Sequence, residues 1–420
     1  MLRQRDIILT VLIQGLGAVA TMAVTAVVAA RFGPEGQGFW ASFKSVLDLA
    51  SVVAAYGFPA GFPFLINVRR VSDVRLLRFS LVYGLILIPG VWLAITIAAS
   101  LGVMHLASST PRLEVVLLAV AAAALAVQSM IRGLSLATTS TEVFNVITAL
   151  PPAMLLLTIG MWPIGQQTML MSVAVTSAVL SVIVCLALWV KYRRQPSDVA
   201  ERTPYGELFS FGGWNFVVSV TMAAIPVSTF QILTAHGVER REIGWLSLAI
   251  LVQGALLTPA NMVGPVLYNA WTRVDDGAAR RESFAHLHRM AFVWSIAASA
   301  AAVLMLAVAR PWLATRDFAA VVPLAWILLA AVPFGYSSRL MANVLLASGA
   351  ARSYAVATAA RLGAIVAVLL LAGMPSTRTA AIAWVVGEAS ALAVSAAIIV
   401  ASLHWTWPDA LGLRASRRPA

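Results

Sequence analysis

The feature that most constrains this chain is a series of long apolar segments with almost no charge inside them. Twelve can be recognised, each of about 21–29 residues, and a helix of about 20 residues crosses the hydrocarbon core of a bilayer. They cover residues 7–30, 38–66, 76–101, 114–134, 144–164, 168–190, 209–234, 243–270, 289–309, 318–338, 353–373 and 379–403. The runs are continuous, whereas barrel strands alternate in polarity over about ten residues. They therefore predict an all-α integral membrane protein with about twelve transmembrane helices.

Composition agrees with lipid as part of the solvent. The chain is 60% hydrophobic and 11% charged, with a mean hydropathy of +0.88, whereas soluble domains contain about 25% charged residues. The net charge of +12 does not indicate nucleic acid, because the basic residues lie in short gaps between the apolar segments. The single cysteine, Cys185, lies in an apolar segment, so we expect neither disulfides nor a cysteine-rich metal site.

The basic residues in the gaps also predict the orientation. Twenty of them fall on the side that holds both chain ends, and seven fall on the other side. Short loops rich in Lys and Arg stay in the cytoplasm. We therefore expect both termini to be cytoplasmic.

The longest polar gap, residues 191–207, lies near the middle and predicts a cytoplasmic linker. It separates an N-terminal six-helix half, 1–190, from a C-terminal six-helix half, 208–420. The two halves share weak similarity at an offset of about 204–210 residues, as between Ala30-Arg31-Phe32-Gly33-Pro34-Glu35 and Ala235-His236-Gly237-Val238-Glu239. An even number of helices separates the copies, which predicts two six-helix bundles related by a parallel repeat, with the substrate in a central cleft between them.

Charged side chains inside the segments are the candidates for function, because a charge in lipid costs several kcal/mol unless it faces a cavity or a partner. Lys44 and Asp48 are four residues apart, hence on one helical face. Arg361 and Glu388 lie near the middle of the last two segments. Each pair has two interpretations. It is a neutralising ion pair, or it belongs to a hydrated cavity whose cations bind an anionic ligand.

The second interpretation gives these residues roles in transport. Arg361 and Lys44 are the preferred substrate-binding residues, with Arg31 and Arg339 at the two mouths of the cavity. Asp48 and Glu388 are the ion-pair or coupling residues. If Arg361 alternated between Glu388 and the substrate, then Glu388 would be free to take up a proton, which would couple transport to the proton gradient.

No enzyme signature is found in the sequence. It has no Gly-rich nucleotide-binding loop. His286 and His288 fall in a predicted cytoplasmic loop without an acidic cluster, and Asp275-Asp276 belongs to a turn-forming Asp-Asp-Gly. We therefore predict no enzymatic activity, no catalytic residue, no metal site and no cofactor.

Four short motifs follow one another along the chain. They are Ala29-Ala30-Arg31-Phe32-Gly33-Pro34-Glu35-Gly36-Gln37-Gly38, Tyr56-Gly57-Phe58-Pro59-Ala60, Ile243-Gly244-Trp245-Leu246-Ser247-Leu248-Ala249 and Leu345-Leu346-Ala347-Ser348-Gly349. In these motifs the sequence resembles the bacterial polysaccharide, or O-antigen-type, flippases of the multidrug/oligosaccharidyl-lipid/polysaccharide exporter superfamily. It departs from them at Pro226-Val227-Ser228-Thr229-Phe230, where family members often carry an acidic residue, so a coupling role for that acid is not carried over.

The resemblance implies flipping of undecaprenyl-pyrophosphate-linked oligosaccharide units across the bacterial cytoplasmic membrane for surface polysaccharide biosynthesis, by alternating access. The implied partners are this lipid-linked substrate, the bilayer and other polysaccharide assembly proteins, and we expect a monomer. Two alternatives stay open. One is a related secondary exporter of drugs or of another lipid carrier. The other is a membrane polymerase or glycosyltransferase, although such enzymes usually carry a long charged external loop that is missing from this sequence.

Overall fold

The computed structural model describes residues 4–67, 71–102, 111–162, 167–194, 205–271 and 277–413. Within these ranges the chain forms fourteen helices and no strand, which confirms the all-α prediction. The helices are α1 (Gln4–Ala55), α2 (Phe58–Asn67), α3 (Asp73–Ser100), α4 (Pro111–Thr138), α5 (Thr141–Met161), α6 (Gln167–Tyr192), α7 (Tyr205–Ala235), α8 (Arg240–Trp271), α9 (Gly277–Ala314), α10 (Val321–Leu329), α11 (Val332–Ala347), α12 (Ala351–Leu371), α13 (Thr377–Leu403) and α14 (Trp407–Ala410).

Ten of the described helices are long and apolar enough to cross a bilayer, and the bent pair α10 and α11 raises the number to eleven. Helix α1 has 52 residues, which at about 1.5 Å per residue exceeds twice the roughly 30 Å thickness of the hydrocarbon core. It is interrupted at Gly33, whose φ of 66° and ψ of −166° are open essentially to glycine. Dividing α1 at Gly33 gives two spans, and the total is then the predicted twelve.

The structure corrects the predicted segment 318–338. Two helices, α10 and α11, replace it and are bent by 44° at their junction. Pro333 lies in the first turn of α11, where its missing N–H costs no helical hydrogen bond. Because α11 continues to Ala347, Arg339 lies inside a helix and not in the loop where the sequence placed it. Its position at a mouth of the cavity stays a prediction.

Two predicted loops are also corrected. Residues 31–37 are helical on both sides of the break at Gly33. Helix α9 begins at Gly277, so His286 and His288 are helical and His288 is buried. Asp275 and Asp276 lie outside the described residues.

The chain divides into two compact units, Met1–Gln231 and Ile232–Ala420. The first unit contains α1–α6 and most of α7, and the second contains α8–α14. Much of the predicted linker, residues 195–204, lies outside the described part of the chain, so the predicted boundaries of the halves stay predictions.

The helix breaks recur in the two units with the predicted spacing. Gly33 and Gly237 both have a positive φ and lie 204 residues apart. Helices α5 and α12 begin 210 residues apart, at Thr141 and Ala351. This recurrence supports an internal repeat along the chain.

Each unit has its own apolar core and an apolar exterior. The core of the first unit contains Phe39, Phe43 and Phe58, and that of the second contains Trp271 and Phe284. On the outside, Leu85 is 70% exposed and Val308 is 82% exposed. Soluble proteins rarely expose large contiguous apolar surfaces. An exterior of this kind fits helices that face lipid.

Candidate functional site

Three charged side chains from three helices meet inside the second unit. Arg339 of α11, Arg361 of α12 and Glu388 of α13 form what we call the buried triad. Arg361 Nη2 lies 2.6 Å from Glu388 Oε1, and Arg339 Nη1 lies 3.5 Å from the same oxygen. The Glu388 side chain is completely buried. One carboxylate thus faces two guanidinium groups, which leaves the triad with one positive charge in excess.

Close packing of α12 against α13 brings Arg361 to Glu388. A Cβ atom at Gly387 would lie 2.6 Å from Ile365 Cγ1 and 3.2 Å from the carbonyl oxygen of Arg361. Glycine at this position therefore permits the close approach of the two helices. The ring of Trp384 lies 5.9 Å from Arg361 Cζ, within reach of a cation–π interaction.

Arg339 is held by α8 and by its own helix. Its Nε donates to Asn261 Oδ1 at 2.9 Å, and its Nη1 donates to the carbonyl oxygen of Gly335 at 2.8 Å. A Cβ atom at Gly335 would lie 2.9 Å from Arg339 Nη1, so a larger residue there would displace the guanidinium. The hydroxyl of Tyr336 donates to the carbonyl oxygen of Leu256 at 2.9 Å, which adds a second link between α11 and α8.

Helix α8 presents three faces along its length. One face is buried and includes Leu246, Ala249, Gln253 and Leu257. A second face is apolar and exposed, at Pro259 and Val263. The third carries Gly254, Thr258 and Asn261, at positions i, i+4 and i+7, and is exposed or half-exposed. We call these last three residues the polar stripe.

The exposed Asn261 amide of the polar stripe indicates a hydrated surface, whereas the Thr258 hydroxyl already donates to the carbonyl oxygen of Gly254. Lipid tails offer no hydrogen-bond partner to an amide, so polar groups in spanning helices usually face the protein interior or water. Asn261 is exposed and accepts the hydrogen bond of Arg339. The stripe therefore extends the buried triad to an accessible face of α8.

The other predicted site residues lie in the first unit. Lys44 and Asp48 form an ion pair within α1, with side chains 34% and 45% exposed. The predicted contact between Lys44 and Asp48 is present, but both residues belong to α1, so the pair does not link two helices. Arg31 Nη1 donates to the carbonyl oxygen of Ile159 in α5 at 3.1 Å.

The six predicted residues thus separate into two groups. The structure brings Arg339, Arg361 and Glu388 together, whereas Arg31, Lys44 and Asp48 belong to the other unit. The predicted contact between Arg361 and Glu388 is confirmed. The substrate-binding and coupling roles of all six residues stay predictions.

Sequence reasoning missed that Arg339 shares the carboxylate of Glu388 and is bonded to Asn261. A signal for the placement of Arg339 exists in the sequence, because Tyr336, Arg339 and Asn343 follow one another at helical spacing and share one face of α11. The predicted apolar segment 318–338 ended one residue before Arg339, so the face that Tyr336, Arg339 and Asn343 share was not recognised.

Two further ion pairs, which we call the end clasps, were also missed. Arg193, after α6, lies 3.4 Å from the buried carboxylate of Asp73 at the start of α3. In the second unit, Arg281 near the start of α9 lies 3.3 Å from the buried carboxylate of Asp409, after α13. Both arginines also lie over a tryptophan ring. The end clasps occupy corresponding places in the two units, with acid and base exchanged.

Comparisons with known proteins give the class of fold. No protein-family model matches the sequence, and a search of curated protein sequences finds no match either. Solved structures do match, among them transporters of the MOP superfamily and a lipid II flippase.

Three of these structures span almost the whole chain. The lipid II flippase MurJ, in an inward closed conformation, has a TM-score of 0.70 at 11% identity, over 96% of this chain and 89% of that chain. An inward-facing multidrug resistance MATE family transporter of the MOP superfamily has a TM-score of 0.69 at 12% identity, over 91% and 96%. A MOP superfamily transporter from Pyrococcus furiosus has a TM-score of 0.67 at 14% identity, over 96% of each. The chain therefore has the fold shared by these exporters and flippases, none of which is described as an enzyme.

Proposed function

We propose that this protein is a flippase that translocates undecaprenyl-pyrophosphate-linked oligosaccharide units across the bacterial cytoplasmic membrane for surface polysaccharide biosynthesis. The observation that carries the proposal is the excess positive charge of the buried triad. An uncompensated charge inside a spanning unit is costly, and an anionic substrate would complete it. The planar fork of arginine matches the oxygens of a pyrophosphate.

The polar stripe on α8 supports the same class of substrate. A lipid-linked oligosaccharide has a polar, anionic head and a long apolar tail. The head requires a hydrated surface with hydrogen-bonding groups, such as Thr258 and Asn261 provide beside Arg339. The tail requires lipid. A fold shared with a lipid II flippase fits this division, and the resemblance of the sequence motifs favours the polysaccharide class.

A second candidate function is the export of a soluble anionic compound, because multidrug transporters share the fold at similar TM-scores. Cationic drugs fit less well, since the buried triad would repel them.

Deletion of the gene in its host tests the proposal. A flippase mutant should lose the surface polysaccharide and accumulate undecaprenyl-pyrophosphate-linked units, which lipid extraction and mass spectrometry detect. Normal surface polysaccharide together with increased sensitivity to anionic toxic compounds would contradict the proposal and favour the second candidate.

The proposal includes an orientation with both termini in the cytoplasm, motivated by the asymmetry of basic residues. Reporter fusions after Gln195 and after Asp276 should both indicate the cytoplasm, and a fusion after Gly237 should indicate the opposite side. A periplasmic signal at position 195 would overturn the division into two six-helix halves.

A further inference from the structure

The two arginines of the buried triad are not equivalent. Arg361 lies 2.6 Å from Glu388 and its side chain is 8% exposed, beneath the ring of Trp384. Arg339 lies 3.5 Å from the same carboxylate and its side chain is 16% exposed. The Glu388 carboxylate thus compensates the charge of Arg361 more completely. The excess charge lies with Arg339.

Arg339 is also the member of the triad that reaches an accessible surface. Its Nε is bonded to Asn261, which is exposed at the end of the polar stripe. Its contacts with Asn261, Gly335 and Glu388 engage Nε and Nη1. Arginine has five N–H donors, so within the described part of the chain Nη2 can still donate to a ligand.

We infer that Arg339, held between Asn261 and Glu388, is the residue that binds the anionic group of the substrate, and that Arg361 is a positioning residue that stays with Glu388. The inference rests on the proposed function for its ligand chemistry, which is a phosphate or pyrophosphate ester. From the sequence alone, Arg361 was the preferred substrate contact and Arg339 lay at a mouth of the cavity, so the inference exchanges their ranking.

The arrangement makes a definite prediction about charge. If Arg361 is removed while Glu388 stays, the carboxylate is left to compensate Arg339, and the anion site loses its excess charge. If Glu388 is then also neutralised, no carboxylate compensates Arg339. The anion site regains its excess positive charge, and Arg339 can bind the ligand. An arginine that contacted the ligand directly could not be rescued in this way.

The inference also changes the expected role of Glu388. The charged and titratable groups that act on it are Arg339, Arg361 and Tyr354. Because Arg361 stays paired when the substrate binds to Arg339, Glu388 keeps the cation that lies 2.6 Å away. The substrate then does not release Glu388 from Arg361, as the coupling role predicted from the sequence would require.

Calorimetric titration of the purified full-length protein in detergent tests the inference. One arm uses inorganic pyrophosphate and the other uses farnesyl pyrophosphate, which distinguishes a free anion from a lipid headgroup. Arg339→Gln should weaken binding at least about tenfold, as loss of a charge-assisted hydrogen bond does. Arg339→Lys should bind with intermediate affinity. The matched control is Arg352→Gln, which removes the same charge from an exposed position of α12 and should bind as the unaltered protein does.

The rescue experiment separates the two arginines. Arg361→Gln alone should weaken binding, and addition of Glu388→Gln should restore it to within about threefold. If Arg339→Gln binds normally while the double variant does not, Arg361 is the ligand contact. The inference then fails and the proposed function stands. If the unaltered protein binds neither pyrophosphate nor farnesyl pyrophosphate, the inference and the proposed function both fail.

Discussion

Two charged clusters with similar composition have different surroundings. The Lys44–Asp48 pair lies on a single helix and is about one-third to one-half exposed. The buried triad joins α11, α12 and α13 and is almost completely enclosed. Spacing along one helix determines the first contact, whereas the second depends on how three separate helices pack together. Exposed pairs contribute about 0–1 kcal/mol to stability, and breaking a buried pair costs about 3–5 kcal/mol.

The largest expected effect follows from removing the acid of the buried triad. Glu388→Ala leaves two guanidinium groups without a carboxylate and should destabilise the protein by about 3–5 kcal/mol. Arg361→Met combined with Glu388→Leu removes the tight pair as a neutral unit and should stay close to the original stability. Unfolding in mixed detergent micelles measures both variants. Equal stability of Glu388→Ala and the unaltered protein would show that the triad is not compensated as the structure indicates.

The end clasps should give an intermediate effect, because only one partner of each is deeply buried. Asp409→Asn should destabilise the protein by about 1–3 kcal/mol, since it leaves the Arg281 guanidinium without its charged partner. The two units carry the clasp with opposite polarity, so Arg281→Asp combined with Asp409→Arg should recover at least half of the loss. The same unfolding assay measures how much stability the double variant recovers. No recovery would mean that the hydrogen bonds of Asp409 with Thr406, or the contact of Arg281 with the Trp405 ring, hold this end and not the ion pair.

The smallest stability effect is expected for the exposed pair. Lys44→Met combined with Asp48→Leu should change the free energy of unfolding by less than about 1 kcal/mol, as for other exposed pairs at this spacing. Glycan export by this variant gives a separate result. Reduced export at unchanged stability would support the predicted substrate contact at Lys44, and unchanged export would remove Lys44 from the site.

Local features of the fold could be predicted from the sequence. The break at Gly33 follows from a Gly-Pro pair between two apolar runs, and the Lys44–Asp48 contact follows from the helical period. The all-α class follows from the continuous apolar segments. Each of these predictions depends on residues that are close in sequence, within one apolar segment or between two neighbouring ones.

The shared carboxylate of the buried triad could not be predicted in the same way. Arg339, Arg361 and Glu388 meet only because α11, α12 and α13 pack together, and Gly387 permits that approach. The predicted segment 318–338 ended just before the charge of Arg339, whereas α11 continues to Ala347. That error placed Arg339 in a loop and hid its relation to Asn261.

Movement of a lipid-linked saccharide across a bilayer is the most direct test of the central claim. The purified protein would be reconstituted into liposomes that contain undecaprenyl-pyrophosphate linked to a fluorescent saccharide, and an impermeant reductant would quench the fluorophores in the outer leaflet. We expect the inner-leaflet fluorophores to become accessible in the presence of the unaltered protein, and to stay protected with Arg339→Gln. Protection equal to that of protein-free liposomes, with the unaltered protein folded and inserted, would contradict the account.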